Sequence, residues 1–457
     1  MADNHYDLIV IGSGPAGHKA AIQGSVTGKR VLLVERAKGV GGECVRHGTI
    51  PSKSLRETAV QLSSLRGRLL DVARLELTEQ TRVDSLMTRL DEVTSSHDHF
   101  LTEQLTRNHV EFRHGRARFL SDREIEVQTV RGEADRFTAD YFVIAVGSRP
   151  RTPADVPVDH EHILDSDSWL SLNYLPRSLI VLGSGVIACE YASTFASLGV
   201  EVTLVDKWPA PLGFLDRRMS RFFVERFETN RGCEFLGEQH YTHIQWDGVS
   251  SVRMFLESGR ILEADKLLCA LGRVANIAGL GLEDAGVELS DRGHVAVDEF
   301  GRTSVPHIYA AGDVIGPPAL ASTSAHQGRR AVRHAFGLPL GSPPEMIPAG
   351  LFTIPEISTI GLTEAQAVEQ HGGAICGEAD FAELARAQIN RTTDGYLQLV
   401  SDPTGRKVLG VHVIGEGATE LIHVAQVAML AGLEVDSFIE TIFNFPTLSE
   451  AYRVAAL

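Results

Sequence analysis

An α/β fold is predicted, and three features of the sequence carry that expectation. The stretch "YDLIVIGSGPAGHKAAIQGSVTGKRVLLVER" (Tyr6 to Arg36) reads as strand, tight glycine turn, helix and strand. "RSLIVLGSGVIACEYASTFASLGVEVTLVDK" (Arg177 to Lys207) repeats the same unit. A βαβ unit requires a parallel sheet, because its two strands are joined by a crossover helix. Beyond the Pro-rich link "GSPPEMIP", which starts at Gly341, the pattern changes to short strands and one long helix, a separate α+β unit. Two Rossmann-like dinucleotide-binding domains and a C-terminal α+β domain follow from these three features.

Taken in chain order, the first strand runs directly out of "MADNHYDLIVIG", which has no basic region or cleavage site. From about Arg56 to His109 the pattern is helical with a polar face, and "VEFRHGRARFLSDREIEVQTV" (Val110 to Val130) alternates like a hairpin. "YFVIAVGSRPRTPADVPVD" ends a strand in a Pro-rich link, which places a boundary near Pro150. In the last unit "GYLQLVSD" and "VLGVHVIG" read as strands and "GATELIHVAQVAMLAGL" as a helix. The stop directly after "VAAL" reads as an end with further residues missing.

A chain of 457 residues is long enough for two to four domains. Its formal charge of −16 repels nucleic-acid phosphates and anionic lipid alike, so neither is an expected partner. No apolar run approaches the ~20 residues a membrane-spanning helix needs, and cytoplasm is the expected compartment. Cys44, Cys189, Cys233, Cys269 and Cys376 lie far apart, no pair has CxxC spacing, and no HExxH occurs, so no dedicated metal site is expected. An odd number of scattered cysteines fits a reducing compartment.

The glycine turns carry the chemistry. Gly12 permits a sharp turn, Gly14 lets the backbone approach a pyrophosphate, and Gly17 lets helix and strand pack closely. The helix N-terminus then presents unpaired N–H groups to the phosphates. Glu35 ends the second strand, where a carboxylate accepts hydrogen bonds from a ribose diol. Gly183, Gly185 and Ala188 form the second turn, with Asp206 as its acid and Ala188 as a small substitute for the third glycine. One such turn arises easily by chance, but strand, helix and acid agree at both. Two units imply two dinucleotides.

These units and the motifs between them resemble the pyridine nucleotide–disulfide oxidoreductase family over nearly the whole chain. "FVIAVGSRP" (Phe142 to Pro150) and "TSVPHIYAAGDV" (Thr303 to Val314) are similar to the two segments of that family that meet FAD. "LLCALGRVANI" (Leu267 to Ile277) is similar to the strand leaving its nicotinamide domain, and "GLFTIPEISTIGLTE" and "FPTLSEAYRVAAL" to its dimerisation domain. The resemblance implies an FAD domain at 1–150 and 275–340, an NAD(P) domain at 151–274, and a dimerisation domain at 341–457. It assigns cofactor contacts to Gly42, Cys44, Gly147, Gly272, Asp313 and Ala321, with Asp313 on the ribityl chain. It also implies an ion pair between Lys53 and Glu190 beside flavin N5, and a homodimer or larger homo-oligomer.

The redox turn of this family holds two cysteines separated by four residues. In "GGECVRHGTIPSK" Cys44 stands at the first position and Thr49 at the second. The family's base, a histidine before "PT" supplied across the dimer, is replaced by Phe445, leaving Glu450 without the histidine it would orient. Thr49 forms no thiolate and Phe445 moves no proton, so dithiol chemistry is excluded. Cys44 is then expected to pack rather than to sense redox state. What survives is the nicotinamide side, and "GTIPSK", "VIACEYAS", "FNFPT" and "SEAYRVAAL" resemble the soluble, Si-specific pyridine nucleotide transhydrogenases, a branch lacking both groups. The expected reaction is ping-pong: NADPH delivers hydride to FAD, NADP+ leaves, and NAD+ takes the hydride away. The rival readings are an NAD(P)H dehydrogenase that reduces a quinone, dye or oxygen, and a flavin-dependent redox sensor or assembly protein. Cofactor preference rests on Asp206, which suits the 2′-hydroxyl of NAD(H), and on Lys207, the one cation before Arg217 able to meet the 2′-phosphate of NADP(H).

The loss of the second thiol has a measurable outcome. The protein reduces neither lipoamide nor glutathione disulfide above background, and Cys44→Ala retains near-normal hydride transfer. Thr49→Cys with Phe445→His creates an internal disulfide that NADH reduces, detected by loss of titratable thiol on oxidation and its return with NADH. Disulfide reduction by the natural chain contradicts this account.

Overall fold

The computed structural model describes residues 4–69, 79–172, 174–341 and 346–457. The first sheet has seven strands and forms because "LIVI" and "VLLVE" are apolar runs, short enough for strands and buried on both faces. His5–Ile11 sits at its centre, flanked in parallel by Val31–Glu35 and by the 11-residue strand Ala134–Ile144. The register places Ile9 between Leu32 and Phe142, and all three are essentially excluded from water. Burying a side chain of this kind stabilises the fold by roughly 1.5–3 kcal/mol, so a charge at Ile9 would break the sheet at its middle. Ile308–Ala310 returns from far along the chain to pair in parallel with the end of Ala134–Ile144. The helix after it, Ala321–Ala335, packs on Pro15–Val26 so tightly that a Cβ at Gly328 would lie 2.1 Å from the Ala16 carbonyl oxygen.

The segment read as a hairpin divides in two. Glu111–His114 joins the parallel edge beside Val31–Glu35, and the hairpin is formed by Arg116–Phe119 and Glu124–Gln128. Alternation gives the period of a strand but not its partner, and here the first partner lies some 80 residues back. The helical region contains Thr49–Leu69 and Glu79–Arg107; the stretch between them and most of the link after Gly341 fall outside the described residues.

The second sheet contains five parallel strands, in the order Glu234–Leu236, Glu201–Val205, Ser178–Leu182, Lys266–Cys269 and Ile163–Asp165. A three-stranded antiparallel sheet, Tyr241–Trp246, Val252–Leu256 and Ile261–Ala264, precedes its last central strand. The two crossings between the sheets, Ser148–Pro150 and Arg273–Ala275, lie side by side as an antiparallel pair. The third sheet is antiparallel, with Val408–Ile414 between Ile357–Gly361 and Tyr396–Ser401. Helices Ala418–Leu430 and Glu450–Ala456 cover it, joined by the buried Tyr452, whose hydroxyl donates to the Leu421 carbonyl at 2.6 Å. Among the described residues no helix is long and apolar enough to cross a membrane.

His18 ties the first helix to Glu79–Arg107, its Nε2 lying 3.2 Å from the Leu101 carbonyl. It is 2% exposed, and burial lowers its pKa from 6.5 to about 4. As pH falls, the unfolded chain therefore takes up this proton before the folded one does. The stability tied to neutral His18 is present above pH 6.5 and is lost as pH falls toward 4, by at most about 3 kcal/mol. Denaturant melts at pH 7.5 and 4.5 test this: His18→Gln loses less stability over that interval than the natural chain. Equal losses would remove His18 from the account.

Candidate functional site

The two glycine turns have matching geometry. Gly12 has φ +100° and Gly183 φ +109°, values that favour glycine, and a Cβ at either would strike a carbonyl, Ala145 O at 2.4 Å or Ala270 O at 2.6 Å. A Cβ at Gly14 or Gly185 meets nothing within 4 Å, so both second glycines face open space. The third positions differ. A Cβ at Gly17 would lie 1.8 Å from the Gly12 carbonyl oxygen, whereas Ala188 carries its Cβ in a fully buried place.

Each strand-end acid is held by the serine between the first two glycines. One oxygen of Glu35 accepts from Ser13 N at 2.9 Å and Ser13 Oγ at 2.7 Å, and the other from Ala37 N at 2.9 Å. Asp206 repeats the arrangement, accepting from Ser184 N at 2.6 Å and Ser184 Oγ at 2.7 Å, and from Trp208 N at 3.3 Å. Fixing a carboxylate with donors on both oxygens leaves one orientation for a ribose to meet. These serines were not singled out from the sequence, although the repeated "GSG" was the available signal. The acids differ in charge compensation: Arg46 lies 3.9 Å from Glu35, while the nearby Lys207 has its ammonium 5.2 Å from the centre of the Trp208 ring.

A cavity of about 620 Å³ runs along the first turn, within the ~300–1,000 Å³ usual for small-molecule and cofactor sites. Of the residues singled out above, Gly12, Gly14, Glu35, Gly42, Cys44, Lys53, Gly147, Glu190, Asp313 and Ala321 line it. Gly17 packs behind the turn; Gly183, Gly185, Ala188, Asp206, Lys207 and Gly272 lie outside the cavity, along the second sheet. The cavity therefore gathers one turn and the Lys53–Glu190 pair, and leaves the second turn to a separate surface.

Lys53 and Glu190 meet at 2.7 Å. Lys53 lies near the start of helix Thr49–Leu69 and Glu190 in the second turn of Val186–Leu198. The other Glu190 oxygen accepts from Phe352 N at 2.8 Å, and the Phe352 ring centre lies 4.8 Å from the Lys53 ammonium. Ser193 Oγ, one helical turn on, accepts from Ile354 N at 3.1 Å. The C-terminal unit thus completes a pair made by the other two. A carboxylate this buried holds its charge only with such partners, and here it has two.

On the other side, the half-buried Cys44 thiol lies beside the Thr49 side chain on the cavity wall, and burial raises its pKa. All five cysteines are free. Phe445 is 75% exposed, and Glu450 accepts from Thr447 N at 3.3 Å, a backbone partner in place of a histidine. Raised by burial, against the opposing pull of Thr49 and Lys53, Cys44 is a poor thiolate.

Residues 6–328 match the family described as "Pyridine nucleotide-disulphide oxidoreductase", and residues 347–456 match its dimerisation domain. The chain belongs to the pyridine nucleotide-disulphide oxidoreductase family. Its similar proteins include a soluble pyridine nucleotide transhydrogenase of Mycobacterium tuberculosis, 40% identical over 99% of this chain and 96% of that one. Another of that name, from Klebsiella pneumoniae, is 41% identical over 99% and 97%. Among solved structures of this oxidoreductase family's fold, LpdA from Mycobacterium tuberculosis superposes with a TM-score of 0.90 at 28% identity, covering 98% of both chains. The HOCl-induced flavoprotein disulfide reductase RclA from Escherichia coli gives 0.89 at 26%, covering 99% of both.

The pinned Asp206 sets an expected nucleotide preference. A like-charge pair ~4 Å apart costs about 4 kcal/mol at an effective dielectric near 20, less with intervening water. NAD(H) is therefore expected to bind at least as tightly as NADP(H), both being usable. At fixed ionic strength, Asp206→Asn raises kcat/KM for NADPH and lowers it for NADH, and Lys207→Ala harms NADPH selectively. An unchanged NADPH/NADH ratio in Asp206→Asn means that the 2′ position is read elsewhere.

Proposed function

We propose that this protein is a flavin-dependent, Si-specific transhydrogenase that moves hydride between NADPH and NAD+ in the cytoplasm. One observation carries the reading. The half-buried Lys53–Glu190 pair is complete, with Phe352 seated against it, while the position beside Cys44 holds a threonine. A site equipped for nicotinamide and without a second thiol has no internal disulfide to reduce. The names of its relatives support the same reaction.

The residues present suit FAD. Gly14 opens into the cavity where a side chain would fill it, and the fixed Glu35 carboxylate awaits a ribose. Gly147 and Asp313 line the same space farther along. When bound, the flavin supplies the hydride relay between the two nicotinamides. Lys53 offers positive charge where negative charge accumulates during transfer, and Glu190 holds that ammonium in place. We assign FAD to residues 1–150 and 275–340, NAD(P) to 151–274 around Gly183, Gly185, Ala188, Asp206 and Gly272, and dimer contact to 341–457. Ile442 and Phe445, 94% and 75% exposed, would then be covered by a second copy.

With a single nicotinamide surface, one nucleotide must leave before the other enters. Initial rates at several fixed NADPH concentrations give parallel double-reciprocal lines, with competitive inhibition by excess acceptor. Intersecting lines mean both nucleotides bind together and contradict the scheme. Anaerobic NADPH with an NAD+ analogue outruns NADPH with a quinone; the reverse order makes the protein a quinone reductase.

A further inference from the structure

The two crossings between the first and second sheets carry a hydrogen-bond chain along the wall of the cavity, which Arg273, Ser148 and Asp313 all line. Arg273, on the returning strand, spreads its guanidinium over Ser148 on the outgoing one. Its Nε donates to Ser148 Oγ at 2.8 Å and its Nη2 to the Ser148 carbonyl at 2.9 Å. Its Nη1 lies 3.3 Å from both Ser166 Oγ and Asp167 Oδ1. Ser148, only 7% exposed, passes the contact on, its Oγ donating to Asp313 Oδ2 at 2.7 Å.

The direction of this chain is fixed by chemistry. A guanidinium only donates, so the serine oxygen must accept from it, and the single hydroxyl proton is left for Asp313. Asp313 is thereby held through one oxygen, and among the described residues its other oxygen has no hydrogen-bond partner. We propose that Arg273 is a positioning residue: acting through Ser148, it sets the place of Asp313 and so how tightly the flavin is held. The joint between the sheets and the grip on the flavin are then one structure. This rests on the reading that the cavity takes FAD. Lysine at 273 does not substitute, because an ammonium cannot present the two parallel N–H groups that meet Oγ and O of one serine. A competing role exists at the far end, where Asp167 sits within 4.8 Å of Glu43 and His47 and pairs with Arg273. In that role Arg273 only balances charge.

Flavin release from the holoenzyme on stepwise dilution, followed by flavin fluorescence, separates the two. Arg273→Lys and Ser148→Ala each raise the FAD dissociation constant about tenfold or more, equivalent to about 1.4 kcal/mol. The double variant adds no more than about twofold, because both changes cut one chain. Asp167→Asn shifts it by less than about twofold. Melting curves confirm folding, and Ser148→Ala, the milder change, carries the test if Arg273→Lys does not fold. Additive single effects overturn the proposal, as does loss of flavin in Asp167→Asn with none in Ser148→Ala. A natural protein that holds no flavin at all overturns the underlying reading and this inference together.

Discussion

The structure depends on keeping one carboxylate charged where water is nearly absent. Glu190 is 8% exposed, and a lone charge there would cost several kcal/mol. Lys53 reaches it from a helix of the first unit and Phe352 N from a strand end of the third, while Glu190 itself belongs to the second. Satisfying this single side chain fixes the relative placement of three parts of the chain that are more than 130 residues apart. The aromatic ring beneath the ammonium adds cation–π attraction in the same place.

Much of this was legible in the sequence. The glycine turns and their strand-end acids were legible because strand, helix and acid agree at both, and the Lys53–Glu190 pair only through the resemblance to a known family. Phe352 was not legible, because it acts through a backbone N–H that any residue but proline would supply. The chain from Arg273 to Asp313 escaped notice for a different reason: its members are 125 and 165 residues apart, and only the pairing of the two crossings brings them together. The edge strand Glu111–His114 was read with the right period and the wrong partner, since local alternation says nothing about which edge is open.

The fold alone does not decide the chemistry. RclA, described as a disulfide reductase, superposes over 99% of the chain. In the function proposed above, what would separate this protein from such an activity is small in extent: a hydroxyl where a thiol would face Cys44, and an exposed phenyl ring before Pro446. Thr49 begins the helix that carries Lys53 one turn later, yet the Lys53–Glu190 contact is complete with threonine there.

The return of Ile308–Ala310 to the first sheet has a temporal side. That sheet lacks a strand, and its first helix lacks the helix Ala321–Ala335 among its packing partners, until residues 308–335 leave the ribosome. Some 165 residues separate Ile144 from Ile308, so at about 5–20 residues per second the N-terminal unit waits roughly ten to thirty seconds. During that wait the edge of Ala134–Ile144 beyond its hairpin partner is bare, and the second sheet, contiguous in sequence, emerges whole. The middle of the polypeptide is therefore placed to complete itself before its beginning does.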